Sequence, residues 1–132
     1  MIRTKFYINV SGQPWGITVF LPITRYHVTE IMDTLYSIGV SEENARDALN
    51  NLTCGQLNNG ITYSNEQYRE SVSVWAKAVS GPAYLNLLVH ELHHLSVQIA
   101  DANHLDLRGE DVCYMNGDIA QHLYGIVRML IV

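Results

Sequence analysis

A single long helix anchors any fold this chain can take. From Pro82 to Ala102, Leu85, Leu88, Val89, Leu92, Leu95, Ser96 and Ile99 recur at the spacing of one helical face. That stripe is expected to face the core. Ser80 can cap the helix, and Pro82 suits its first turn. At about 100° per residue, His90 and His94 fall roughly 160° from the centre of the stripe. They are therefore not core histidines that happen to stand four apart.

The elements around this helix predict an α+β domain. Phe6, Ile8 and Val10 alternate with Tyr7 and Asn9 as in a strand. Ser11-Gly12-Gln13-Pro14 supplies a turn, and 17–21 is a return strand that Pro22 is expected to stop. Thr29 to Ile38 predicts a helix closed by Gly39. Ser41 can cap a second, with Ala45, Ala48, Leu49 and Leu52 on one face and Cys54-Gly55 at its end. Asn58-Asn59-Gly60 reads as a turn and Ile61-Thr62-Tyr63 as a short strand. From Glu70 to Ala78, Val72, Val74 and Ala76 point one way and Ser71, Ser73 and Trp75 the other. A last helix is predicted from about Gly109 to about Leu130, with Val112, Met115, Ile119, Leu123, Ile126 and Leu130 as its apolar stripe.

The expected architecture is thus a small mixed or antiparallel sheet packed against the helix of His90 and a C-terminal helix. All 132 residues belong to one domain: residues 1–60 hold the hairpin and two short helices, and residues 61–132 hold the strand and the two long helices.

Composition excludes more than it identifies. The net charge is -5, from 13 acidic and 8 basic residues, and no basic run gives a footprint for nucleic acid. No stretch approaches the ~20 apolar residues of a membrane span. The apolar run from Leu123 to Val132 is short, contains Arg128 and reads as the buried end of a helix. The first residues lack the apolar run of a secretory signal, so Asn51-Leu52-Thr53 reads as a chance glycosylation match. Cys54 and Cys113 are too few for a disulfide framework and are expected as buried or half-buried thiols in the cytoplasm.

His90-Glu91-Leu92-His93-His94 is where chemistry enters. Four residues make about one helical turn, so His90 and His94 stack on one face and can reach one metal ion. Glu91 projects beside the pair, where a base for a metal-bound water would sit. Zinc is the expected metal, and a catalytic zinc usually takes three protein ligands. Glu110, near the start of the next helix, heads the candidates for the third, because an antiparallel return would bring it back. His104, Asp106 and Asp111 are the alternatives. Tyr114 shares a face with Glu110, and Gly117 on that face would admit a close neighbour. His93 and His27 read as surface or second-layer residues.

His90, Glu91 and His94 resemble the motif of the zincin metallopeptidases, and a Glu from a following helix would make the arrangement gluzincin-like. The longer metzincin motif is absent. Closer still is the similarity to small HExxH proteins of bacterial phages and prophages. Their helix reads N-[TL]-x-V-H-E-x-x-H, matched by residues 86–94, and their next helix E-x-x-x-Y-x-x-G, matched by residues 110–117. The resemblance spans about Ile61 to Tyr124. It implies a zinc-dependent peptidase in which Glu91 is the general base and Tyr114, or less favourably His122, helps hold the oxyanion. It implies a peptide laid along the Glu70–Ala78 strand as an added strand, with Trp75 and Tyr84 in the cleft wall. The alternative is a non-catalytic, metal-stabilised structural or binding domain. Residues 1–60 would either build a cleft wall or cover the site.

Overall fold

The computed structural model describes residues 2–23, 27–53, 60–76 and 80–130. Eight elements follow in chain order: β1 (Ile2–Val10), β2 (Gln13–Ile23), α1 (Val28–Ser37), α2 (Glu42–Thr53), β3 (Ile61–Asn65), β4 (Glu70–Ala76), α3 (Gly81–Ala102) and α4 (Glu110–Val127). The fold is α+β, with one mixed four-stranded sheet in the order β1-β2-β4-β3. β1 and β2 form the expected hairpin, paired from Ile2 with Leu21 to Val10 with Gln13. Its turn is tighter than expected: Ser11 and Gly12 alone make it, with φ of 54° and 81°. Two successive positive φ values match the twist of the flanking strands. Pro14 already pairs with Asn9 inside β2. Pro22 does not stop β2 either, because the pairing with β4 shifts register between Phe20 and Ile23, around the residue that cannot donate a ladder hydrogen bond.

β4 lies inside the sheet, parallel to β2 on one side and antiparallel to β3 on the other. The expectation that the strand from Glu70 offers a free edge is therefore wrong; β3 is the edge on that side, and β1 on the other. From Ser71 to Ala76 every residue of β4 is buried, as in a strand covered on both faces.

Alternation along β2 and β4 sends side chains into two separate cores. Trp15, Ile17, Val19, Leu21 and Trp75 pack with α3 and α4. Phe20, Ile23, Val72 and Val74 pack with α1 and α2. The sheet is thus the middle of three layers, and α1 and α2 lie on the face away from α3. Gly39 ends α1 with φ 78°, and the Ser41 hydroxyl accepts from the Asn44 N–H at 3.2 Å to open α2. Leu49, placed on the apolar face of α2 by its spacing, is exposed. Cys54-Gly55, residues 58–59 of the predicted turn and the end of the Glu70–Ala78 segment fall outside the described residues.

Two hydroxyl chains bind β3 to the layer beneath α3. Trp75 Nε1 donates to Ser73 Oγ at 2.6 Å, and Ser73 Oγ lies 2.9 Å from Thr62 Oγ1. Trp15 Nε1 donates to Ser71 Oγ at 2.9 Å, Ser71 Oγ lies 2.7 Å from Ser64 Oγ, and Ser64 donates to Gln98 Oε1 at 3.0 Å. Gln98 Nε2 returns a bond to the Thr62 carbonyl at 3.1 Å. The serines that alternate along β4 thus satisfy two buried indoles and fix the edge strand against α3. Among the described residues, no helix is long and apolar enough to cross a membrane.

Candidate metal centre and cleft

Ser80 opens α3 as its spacing predicts, with its hydroxyl accepting from the Ala83 N–H at 3.2 Å. The buried arc of the helix is rotated from the one expected. Tyr84, Leu88, Glu91, Leu92, Leu95, Ser96, Ile99 and Ala100 are buried, whereas Leu85 and Val89 are exposed. The reason is β3: the edge strand covers the Glu91 side of α3 and leaves the Leu85 side bare.

His90 and His94 stand on the exposed flank of this arc, their Nε2 atoms 3.2 Å apart and their rings crossed at 74°. Two nitrogens bound to one tetrahedral zinc at about 2.0–2.1 Å lie about 3.3 Å apart. The pair therefore fits two neighbouring corners of a zinc site. Glu91 is 5% exposed. Its Oε1 lies 4.0 Å from His90 Nε2, and its Oε2 accepts from Thr62 Oγ1 at 3.5 Å. The three side chains face a cleft of about 530 Å³, bordered by Gly60 and Thr62 on one side and by Ala83, Asn86, Leu87 and Gln98 along α3.

The chain matches no family model, no curated protein and no solved structure.

A second groove continues from the first and shares Thr62 and Gln98 with it. It follows β3 from Ile61 to Ser64, between Asn44, Asp47 and Asn51 of α2 and Asp101 and His104 at the end of α3. Among the described residues, α2 thus builds the far wall of this neighbouring groove, and of residues 1–60 Gly60 alone borders the cleft at the histidines.

The antiparallel return of α4 on α3 occurs, but its register differs from the one that would deliver Glu110. Asn116 Nδ2 and His93 Nδ1 are 3.5 Å apart, which sets Asn116 level with His93. Glu110 then lies level with about Ile99, some 7 Å beyond His94 along the axis at about 1.5 Å per residue. Among the described residues no three His, Cys, Asp or Glu gather closely enough to hold a metal. The structure brings together His90, His94 and Glu91 and does not bring Glu110 to them. The alternatives fare no better: His104 pairs with Glu66 at 3.7 Å, Asp106 accepts from the Arg108 N–H at 3.0 Å, and Asp111 is exposed.

Tyr114 is 68% exposed on α4, and α4 contributes no residue to either groove, so the expected oxyanion role has no support in this arrangement. His122 stacks on Phe6 with ring centroids 4.7 Å apart. Trp75 and Tyr84 belong to the core instead of the cleft wall. Cys113, expected as a buried or half-buried thiol, is exposed, one position off the buried stripe of Val112, Met115, Ile119, Leu123 and Val127.

Gly60, Thr62 and Gln98 were not among the candidate residues. Gln98 had a signal: it stands one turn beyond His94, on the flank that carries the pair. Thr62 had a weaker one in the hydroxyl alternation of β3 and β4. Gly60 reads in the sequence only as part of a turn.

Proposed function

We propose that this chain is a zinc-dependent peptidase of minimal zincin-like design. The observation that carries the reading is the approach of His90 and His94 Nε2 to 3.2 Å beside the buried Glu91 carboxylate, in a cleft on the open edge of a sheet. His90 and His94 would hold the zinc. Bound there, the ion would supply Lewis acidity toward a carbonyl and lower the pKa of water. Glu91 takes a proton from the attacking water and passes it to the leaving amine. Thr62 keeps its carboxylate at the cleft wall. An extended peptide lies along β3 as an added strand, in the groove between α2 and α3. The reading includes a cytoplasmic setting, where the exposed Cys113 thiol stays reduced.

A second reading is a non-catalytic, metal-stabilised structural or binding domain in a phage or prophage setting. One observation favours it over catalysis: among the described residues no third ligand gathers at the two histidines, whereas a catalytic zinc usually has three protein ligands. Metal analysis and peptide cleavage separate the two. The expected result is one zinc per chain, lost in His90→Ala and in His94→Ala. Glu91→Gln is expected to keep the zinc and abolish cleavage. Zinc with no cleavage by the unaltered chain selects the binding domain, and no zinc after dialysis against it removes both. Glu110→Ala reports whether α4 supplies a ligand in solution: from the register seen here it keeps its zinc.

A further inference from the structure

Gly60 immediately precedes β3 and borders the cleft. A glycine is required where the backbone is left-handed or where another group comes too close for a side chain. Gly12 and Gly39, with φ of 81° and 78°, meet the first need. Gly60 meets the second. A Cβ at this position would overlap Cδ of Glu91 and lie 2.5 and 2.6 Å from its Oε2 and Oε1. Among the described residues, the bare Cα side of Gly60, the Thr62 hydroxyl and His90 meet the Glu91 carboxylate.

We propose that Gly60 is a positioning residue, whose missing side chain is the slot that keeps the Glu91 carboxylate beside His90 and His94. For its catalytic consequence this rests on the peptidase reading. The slot itself does not. A methyl group at position 60 turns the Glu91 side chain away from Thr62 and into the open cleft. The carboxylate survives chemically but no longer stands where a proton must be taken. Gly60→Ala is therefore expected to imitate loss of the base while both histidines remain in place.

The test uses the full chain as Gly60→Ala and as Gly60→Ala combined with Glu91→Ala. The metal-free crystal structure of Gly60→Ala is expected to keep the fold and to show the carboxylate away from Thr62. On a peptide cleaved by the unaltered chain, kcat is expected to fall about a hundredfold, the scale of a displaced general base, with KM and zinc content unchanged. If Gly60→Ala does not fold, the double variant, which empties the slot, is expected to fold, and that rescue supports the proposal. A double variant that also fails to fold overturns it. So does a carboxylate still beside Thr62 in the single variant, or full kcat with the carboxylate displaced. Where the unaltered chain binds zinc but cleaves nothing, the peptidase reading fails, and the crystal structure and the rescue still decide the slot.

Discussion

Replacing Ser73 by alanine removes one hydroxyl and strands a buried indole. Ser73 and Trp75 are both fully buried, so no solvent reaches Trp75 Nε1 once its 2.6 Å acceptor is gone. An unsatisfied buried donor costs about 1–3 kcal/mol, and the lost contact with Thr62 adds about 0.5–1.5 kcal/mol. Ser73→Ala is therefore expected to lower the unfolding free energy by about 2–4 kcal/mol, a large part of the margin of a domain this size. Trp75→Phe alone loses the indole's packing and one bond to Ser73. Combined with Ser73→Ala it leaves no stranded donor. The double variant should therefore be more stable than the sum of the two single losses by about 1 kcal/mol or more. Urea unfolding of the four chains, followed by far-ultraviolet circular dichroism, measures the cycle. Equal m-values are needed for the comparison. Strict additivity, or a Ser73→Ala loss below about 0.5 kcal/mol, would refute the claim that the hydroxyl exists to satisfy the indole.

Arg69 holds the sheet's end together. Its guanidinium donates to the Val10, Gln13 and Pro14 carbonyls and to Asn103 Oδ1, and it lies over the Trp15 ring. Arg69→Met is expected to cost about 2–3 kcal/mol in denaturant unfolding, and Arg69→Lys most of that, since a point charge cannot span four acceptors. Tyr84 carries a buried hydroxyl without a partner among the described residues, and burial pushes its pKa up from 10.0 to about 12. The folded chain therefore holds that proton more tightly than the unfolded one. The associated stability is present below pH 10 and is lost between about pH 10 and 12. Tyr84→Phe should be neutral or stabilising at pH 7 and should flatten the alkaline fall in the unfolding free energy; an unchanged alkaline limb would assign that fall elsewhere.

Local pattern carried most of the fold. Alternation in Phe6–Val10 and in Glu70–Trp75, the Ser41 and Ser80 caps and the Gly39 stop each act over a few residues, and the structure has them where the pattern puts them. The errors came from features that local pattern does not encode. Whether β4 lies inside the sheet depends on β2, which arrives parallel from far along the chain. The alternation of valine with serine on β4 reads as one face more apolar than the other, yet its serines are buried as well and serve as acceptors for two indoles. The same holds for the cleft. His90 and His94 were legible because one helix sets their spacing. The reach of Glu110 was not, because it depends on the register of α4 against α3, fixed by packing such as that around His93 and Asn116.

The parallel pairing of β2 with β4 also sets the order in which the molecule can assemble. Gly16 and Glu70 meet across about fifty residues, whereas the β1–β2 hairpin and the α3–α4 pair close over short loops. The hairpin and the helical pair can therefore form early and reversibly. β4 meets β2 only after the long closure, but its short hairpin with β3 does not wait for it. His90 and His94 share one helix and come into line as soon as it forms, and the wall that receives Glu91 arrives when that hairpin docks on the helix. A chain in which the β3–β4 hairpin has not docked would thus hold the paired histidines with no cleft beside them.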